Sequence, residues 1–335
     1  MRRNFKNERT ATAKTIGKKT ACMVAMMTAM FALTACGDEE TPEEKLKNEL
    51  SSAIEDIGNS MNNADTSTEP ETQLPSYMFE NGVLIINVDT KNIANLLKED
   101  NIATDDVVEI LFAGNATKAD GCSTFKNVKK VTFGESVVTI CQEAFSNCNN
   151  LETIIMADNV TTIEKSAFWS CDSLVNVKLS ANLESIGDNA FHDCISLTTM
   201  NIPASVKRIS NQAFESCRAL TTITLEEGLE SISNAAFAGV AVTELNIPST
   251  VTYIGEYAIS SCPNLTSIVL PNGIEQISKG ALAGCPSLTS VTIPDSVTFI
   301  YENPIGENEA LTIYGNAGSL AEKFATDYGF KFIAQ

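Results

Sequence analysis

Residues 265–285 read LTSIVLPNGIEQISKGALAGC, and this stretch decides the fold. Its apolar residues recur along the chain at a spacing of about 23 residues. A fixed period of this length is the signature of a protein built from stacked structural repeats. Full units run from residue 137 to residue 296, with partial units before and after them.

Three columns of apolar residues define this period. The first is an isoleucine column: Ile140, Ile163, Ile186, Ile209, Ile232, Ile254, Ile277 and Ile300. The second is mainly phenylalanine: Phe145, Phe168, Phe191, Phe214, Phe237, Ile259, Leu282 and Ile305. The third is mainly leucine: Leu151, Leu174, Leu197, Leu220, Val242, Leu265, Leu288 and Leu311. Each column contains one step of 22 residues, which places a one-residue deletion between Phe237 and Val242.

Each unit predicts one short strand followed by a compact turn. The block Leu265–Leu270 alternates apolar and polar residues, which is typical of a strand with one buried face. Proline closes this block in several units, where no ladder donor is needed: Pro203, Pro248, Pro271 and Pro294. Between Ile163 and Cys171, apolar residues follow at steps of four, one and three, which predicts about one turn of helix.

A single unit cannot bury its apolar columns alone, whereas a stack of units can. We therefore predict an α/β repeat solenoid in which each unit adds one strand to a parallel sheet on one face. At a strand spacing of about 4.8 Å, eight strands give a sheet roughly 40 Å long.

These columns resemble the BspA-like leucine-rich repeat family of bacterial surface proteins, over about residues 115–335. We assign residues 114–310 to the leucine-rich-repeat array. Residues 311–335 resemble the strand–helix–strand cap that closes such arrays. The resemblance implies a non-enzymatic surface module, with members linked to adhesion to host matrix proteins, other cells or glycans. It does not name a ligand.

Residues 77–113 are predicted to cap the N-terminal end of the array, because an open repeat end needs cover. Asn81-Gly82 between two apolar runs is typical of a β-hairpin. Ile93 and Leu97 indicate a helix, and residues 107–112 indicate another strand.

The first 35 residues are predicted to be a lipoprotein signal peptide. A basic segment precedes an apolar run of about 15 residues, which is shorter than the roughly 20 needed to span a bilayer. The run ends in Leu33-Thr34-Ala35-Cys36-Gly37, which resembles the lipobox of bacterial lipoproteins. This resemblance implies cleavage before Cys36 and a lipid on its sulfur, which anchors the body to the membrane outside the cytoplasm. The alternative is an ordinary signal peptide with a chance cysteine.

Residues 36–76 connect this anchor to the repeats. Thr41–Glu44 has the composition of a helix start, and apolar residues at helical spacing then predict a short stalk helix up to Met61. Residues 62–76 are polar and acidic with almost nothing apolar, which predicts a disordered linker.

The charge of the chain excludes one class of partner. The sequence carries 23 basic and 42 acidic residues. Residues 1–35 hold 7 of the basic and 1 of the acidic residues, so 16 and 41 remain, a net charge of −25. Such a body is repelled by phosphate groups, so no nucleic-acid partner is expected, and membrane contact is expected only through the lipid on Cys36.

Six cysteines form another column: Cys148, Cys171, Cys194, Cys217, Cys262 and Cys285. A cysteine that recurs once per unit is typical of a packing position filled by a buried thiol. Disulfides between neighbouring units are the first alternative. A metal site is the second, although zinc-type spacing is missing from the sequence. Cys122 is expected to be buried, and Cys141 to be the most exposed thiol.

The single histidine, His192, leaves little room for histidine-based catalysis. It stands in one column with Trp169 and Glu215, one unit before and one unit after. This row is either an outer contact patch or three variable, exposed side chains. We predict no catalytic residue, no metal and no cofactor.

The polar positions of the strand blocks point away from the core, onto an open face of the sheet. We predict a ligand-binding face made of these residues: Lys130, Thr153, Ile155, Asn176, Lys178, Thr199, Asn201, Thr222, Thr224 and Asn246. Ile155, Asn176 and Lys178 are the first candidates because they interrupt a threonine-rich pattern. The alternative is that hydroxylic residues only solvate the strands.

Three functions follow from these patterns. The favoured one is a cell-surface lipoprotein whose solenoid binds a protein or glycan ligand without catalysis. The second is a cell-envelope scaffold that self-associates. The third is a carboxylate-dependent hydrolase, for which we expect a non-repeating insertion carrying His, Asp or Glu, and the repeats show none.

Overall fold

The computed structural model describes residues 75–91, 93–302, 304–306 and 308–335. The predicted signal peptide, Cys36, the stalk helix and most of the linker lie outside these residues. Residues 73–335 form one compact unit. The unit contains a single continuous hydrophobic core. The predicted repeat solenoid is confirmed, and it has about 11 turns.

The Leu-x-x-Ile-x-Leu blocks form the first sheet. Strands are numbered in chain order over both sheets, and the first sheet contains β1 (Tyr77–Glu80), β2 (Val83–Ile86), β3 (Glu109–Phe112), β5 (Lys130–Phe133), β7 (Thr153–Met156), β9 (Asn176–Lys178), β11 (Thr199–Ile202), β13 (Thr222–Leu225), β16 (Ser267–Val269), β18 (Ser290–Thr292), β20 (Thr312–Gly315) and β21 (Lys331–Ala334). From β2 onward the paired strands are parallel and keep the repeat register, as where Lys130 lies opposite Thr153. The ladder is divided into three pieces, β1 to β9, β11 with β13, and β16 to β21.

A second sheet follows the isoleucine column. Its short strands are β4 (Lys118–Ala119), β6 (Thr139–Ile140), β8 (Thr162–Ile163), β10 (Ser185–Ile186), β12 (Arg208–Ile209), β14 (Ser231–Ile232), β15 (Tyr253–Ile254), β17 (Gln276–Ile277) and β19 (Phe299–Ile300). This ladder is also divided, into a piece from β4 to β15 and the pair β17 and β19. The sequence predicted one strand in each unit, and most units have two. Two residues are too few to show a period-2 alternation, so these strands left no pattern to recognise.

The predicted helical turn after each isoleucine is wrong. Ser166 and Ser170 have left-handed φ values of 55° and 52°, whereas an α-helix needs right-handed residues throughout. Their N–H groups donate to the next unit, as from Ser166 to the Asp188 carbonyl at 2.9 Å. The segments between the isoleucine and cysteine columns therefore stack as a third hydrogen-bonded side of the solenoid, which we call the turn edge.

The core consists of the columns read from the sequence. Phenylalanine rings from Phe145 to Phe237 stack face to face, with centroids 5.2 to 5.6 Å apart. An alanine column lies buried beside them: Ala144, Ala167, Ala190, Ala213, Ala236, Ala258 and Ala281. Small and large columns alternate, so successive turns pack without strain.

The two ends of the array differ from the repeats. At the N-terminal end, β1 and β2 form the predicted antiparallel hairpin, which is followed by helix α1 (Ile93–Glu99) and a 3₁₀ turn at Thr104–Asp106. At the C-terminal end, helix α2 (Leu320–Tyr328) lies between β20 and β21. α2 ends at Gly329, whose φ of 75° closes the last helical turn. Within the described residues, α-helix occurs only at these two ends.

Candidate binding surface

The first sheet has one face on the core and one open face. In β11, Thr199 and Asn201 are exposed, whereas Met200 and Ile202 are buried. Because the strands are in register, the open-face residues form two rows along the solenoid. One row contains Lys130, Thr153, Asn176, Thr199 and Thr222, and the other contains Ile155, Lys178, Asn201, Thr224 and Asn246. Strand pairing shows these rows within β5 to β9 and within β11 and β13, and the exposed Asn246 lies outside the named strands, so the repeat period alone relates the three groups.

Toward the N-terminal end of this face, one row carries two aliphatic residues. Leu111 lies opposite Thr132, and Thr132 lies opposite Ile155; all three are half-buried. The next residue in this row is Lys178, which is exposed. Leu111 and Ile155 thus lie in the same row as the exposed Lys178. Such a surface is chemically suited to a partner that carries both apolar and acidic groups.

Lys130 lies in the row parallel to this one. Its Nζ is 3.9 Å from the Glu109 carboxylate, and its side chain is 21% exposed. The charge of Lys130 is thus partly offset within the sheet, whereas Lys178 presents its charge to solvent. Of the two lysines predicted for this face, Lys178 is better placed to meet an acidic partner.

Toward the C-terminal end, the open face deepens into a groove of about 430 Å³. Its walls include Glu227, Glu244, Asn246, Val269 and Asn272. The Val269 side chain is 62% exposed. The groove adjoins the shortened unit, where Glu244 pairs with Ser267 through an isolated bridge. The alternation of the strand blocks places Glu244, Asn246 and Val269 on this face, whereas Glu227 and Asn272 lie in turns after the strands.

Glu227 holds a fixed negative charge on the groove wall. Its carboxylate accepts hydrogen bonds from the Ser249 backbone N–H at 3.1 Å and from the Ser249 hydroxyl at 3.0 Å. These bonds favour the charged form and lower the pKa of Glu227 below its ordinary value. The two ends of the open face therefore differ in charge, with the exposed Lys178 at one and carboxylates at the other.

The predicted row of Trp169, His192 and Glu215 lies together on the turn edge. The Trp169 indole N–H donates to His192 Nδ1 at 3.1 Å. His192 Nε2 is 3.5 Å from Glu215 Oε2, and Asp193 Oδ2 is 3.2 Å from His192 Nδ1. His192 Nδ1 can accept a hydrogen bond from the indole N–H only while Nδ1 itself carries no proton.

This arrangement predicts a change in fluorescence when the acceptor is removed, since the chain has one tryptophan and one histidine. The indole N–H of Trp169 donates to His192 Nδ1, and His192→Ala takes this acceptor away. We expect the emission spectrum of Trp169 in His192→Ala to differ from that of wild type in intensity and wavelength. Identical spectra of the two proteins would contradict the hydrogen bond.

A model of the BspA type leucine rich repeat region matches the chain in 6 copies, over residues 118–220 and 184–312. The chain belongs to this family. The matched residues begin at β4 and end in β20, so the BspA-type repeats account for nearly the whole array between the two ends. The family resemblance read from the sequence columns is confirmed.

Several solved structures resemble this BspA-type chain. A leucine rich cell surface protein from Faecalibacterium prausnitzii is 23% identical, with 72% of this chain and 67% of that chain covered and a TM-score of 0.42. A leucine-rich repeat protein from Bacteroides ovatus is 20% identical, with 79% and 76% covered and a TM-score of 0.49. The T. pallidum leucine rich repeat protein is 18% identical, with 78% and 98% covered and a TM-score of 0.40. No curated protein matches the chain.

The cysteine column of the BspA-type units is buried, and its thiols are free. Each thiol reaches a backbone carbonyl of the preceding unit, as from Cys217 Sγ to the Phe191 oxygen at 3.1 Å and from Cys194 Sγ to the Phe168 oxygen at 3.2 Å. A small apolar side chain with one weak donor fits this position, which explains why cysteine recurs there. Cys122 is buried and Cys141 is half-buried, as predicted.

Among the residues that the structure describes, no group of three or more His, Cys, Asp or Glu side chains is arranged to hold a metal ion. No helix in the same residues has the length and apolar character that crossing a bilayer requires.

Proposed function

We propose that this BspA-type solenoid binds a protein or glycan ligand on the open face of its first sheet and does not catalyse a reaction. The observation that carries the proposal is the pair of aligned rows of solvent-facing side chains. At the centre of these rows, four side chains are exposed: Thr199, Asn201, Thr222 and Thr224. Repeat proteins use such extended surfaces to bind macromolecules.

The sequence supports a place for this module on the cell surface. Signal peptidase is proposed to remove residues 1–35, and a lipid on Cys36 is proposed to hold the mature protein on the membrane, outside the cytoplasm. Residues 36–76 then act as a tether for the N-terminal cap, 77–113.

The chemistry of the open face favours a protein ligand over a glycan. Leu111 and Ile155 on this face can bury apolar side chains of a partner, while Lys178 can pair with a carboxylate. Buried apolar anchors next to charged groups are the usual source of affinity in protein interfaces. The central threonines and asparagines supply hydrogen bonds along the rest of the contact.

A binding screen with residues 73–335 tests this proposal. The purified unit is applied to immobilised extracellular-matrix proteins and to a glycan array. We expect saturable binding to at least one component, and a variant with Ile155→Ala, Asn176→Ala and Lys178→Glu should bind at least about tenfold more weakly. Lys165→Glu is the matched control, because it makes the same charge change on the exposed turn edge.

Two outcomes would overturn the proposal. If the triple variant and Lys165→Glu bind as tightly as wild type, the ligand contacts another surface. If nothing in the panel binds and the unit self-associates as its concentration rises, the envelope scaffold becomes the better interpretation.

A further inference from the structure

The outer side of the second sheet changes its chemistry toward the C-terminal end. From β4 to β14, the outward position holds only hydroxylic or basic residues: Lys118, Thr139, Thr162, Ser185, Arg208 and Ser231. In β15, β17 and β19 it holds Tyr253, Gln276 and Phe299. Tyr253 is 40% exposed and Phe299 is 52% exposed. Large aromatic side chains thus appear on this surface only in its last three strands.

Tyr301 enlarges the same surface. It follows β19 directly, is 41% exposed, and packs edge to face against Phe299 with ring centroids 4.8 Å apart. We call the surface formed by Tyr253, Gln276, Phe299 and Tyr301 the aromatic face. The units before it fold with hydroxylic or basic residues at the same positions, so the solenoid itself does not require these rings. Exposed apolar side chains that folding does not need mark an interaction surface.

The spacing of the aromatic face follows the repeat. Gln276 and Phe299 lie opposite each other in the paired strands β17 and β19, about 5 Å apart at the usual strand spacing. Tyr253 lies one repeat before Gln276 in β15, which lies beside β17 without a ladder pair. An extended polysaccharide presents flat C–H surfaces at regular intervals and hydroxyl groups along its edges. Aromatic rings can stack on the C–H surfaces, and the Gln276 amide can both donate to and accept from hydroxyls.

The surrounding charge restricts the ligand further. Glu230, Glu256, Glu275 and Glu302 are exposed on the strands and turns around the aromatic face, with Lys279 as the cation among them. This excess of carboxylates repels polyanions. Single-stranded nucleic acids also stack on aromatic side chains, but they need a basic groove. A neutral polysaccharide is not repelled by these carboxylates. The carboxylates can also accept hydrogen bonds from its sugar hydroxyls.

We propose that the aromatic face binds a neutral polysaccharide whose chain runs along the solenoid axis. Rings at Tyr253 and Phe299 stack on sugars two repeats apart, Gln276 bonds the hydroxyls between them, and Tyr301 supports the Phe299 ring. This site belongs to the second sheet, so it is independent of the ligand proposed for the open face of the first sheet.

Affinity electrophoresis of residues 73–335 tests the proposal. Gels contain hydroxyethylcellulose, arabinoxylan, galactomannan or mixed-linkage β-glucan, with polygalacturonate as the anionic comparison. We expect at least one neutral polymer to retard the protein, and Phe299→Ala and Tyr253→Ala each to weaken that binding by about tenfold. Tyr328→Ala is the matched control, because Tyr328 is an exposed aromatic residue on helix α2, away from the aromatic face.

Three results would overturn the proposal. One is mobility unchanged by every neutral polymer. Another is retardation that Phe299→Ala and Tyr253→Ala leave unaltered. The last is stronger retardation by polygalacturonate than by any neutral polymer. The open-face variant with Ile155→Ala, Asn176→Ala and Lys178→Glu should keep full polysaccharide binding, which separates this site from the proposed protein or glycan site on the first sheet.

Discussion

Phe191→Ala is expected to lower the free energy of unfolding of residues 73–335 by about 4 kcal/mol. The Phe191 ring is fully buried and stacks between Phe168 at 5.2 Å and Phe214 at 5.3 Å. Its removal leaves a cavity in the middle of the array, where turns on both sides hold the walls apart. Urea denaturation followed by circular dichroism measures the change.

Ile195→Ala is the matched control for this substitution. Ile195 lies in the same unit and is also a large apolar residue, but 43% of it is exposed. Its truncation should change the free energy of unfolding by less than about 1 kcal/mol. Equal losses in the two variants would show that the phenylalanine column is not the core of the solenoid.

Alkaline pH is expected to destabilise the solenoid through its cysteine column. Burial raises the pKa of Cys148 to about 11 and that of Cys217 to about 12. In the unfolded chain thiols ionise near their ordinary value, about 8.5. Between these values the unfolded state binds fewer protons than the folded state, so the free energy of unfolding falls as pH rises. The loss from these two thiols is roughly 6 kcal/mol by about pH 11, and stability below about pH 8 is unaffected.

A variant with Cys148→Val and Cys217→Val isolates this effect. Valine fits because the shortened unit already carries Val240 at the corresponding position, where it is buried. The free energy of unfolding of the variant should depend less steeply on pH between about pH 8 and pH 11 than that of wild type. Identical slopes would mean that the thiols ionise as easily in the folded state as in the unfolded state.

The sequence was sufficient to predict the solenoid because its period is carried by buried side chains. The isoleucine, phenylalanine and leucine columns, from Ile140 through Leu311, all line the core or its edge. The deletion after Phe237 was equally visible, since every column shifts there by one residue. Burial imposes a strict spacing on apolar residues, and such spacing can be read from one sequence.

The backbone conformation of the turn edge could not be predicted from the spacing of apolar residues. Its apolar steps imitate a helix, while its shape depends on left-handed residues such as Asn147, Ser170 and Asp193. The sequence did contain a signal of these left-handed positions. The column that ends each turn segment holds only small polar residues or glycine: Asn147, Ser170, Asp193, Ser216, Gly239, Ser261 and Gly284. Glycine and asparagine tolerate a left-handed conformation best, so a recurring column of this kind argues against a helix.

The groove beside Val269 was missed for a different reason. The alternation of β16 places Val269 on the open face, but nothing in the sequence indicates that the neighbouring strands leave space beside it. Groove depth depends on how far successive units separate, which three-dimensional packing decides. The aromatic face was overlooked because Tyr253 and Phe299, which each precede a residue of the isoleucine column, are seen to lie on an exposed surface only when the second sheet is known.

Blocking the open face tests its proposed binding role most directly. In a Cys141→Ser background, Thr199→Cys places a thiol at the centre of the face and Lys165→Cys places one on the turn edge, and each is coupled to maleimide-polyethylene glycol. The buried cysteine column should not react. We predict that the polymer at position 199 abolishes binding to the matrix protein or glycan retained in the screen, and that the polymer at position 165 leaves it intact. Full binding with the polymer at position 199 would contradict the account.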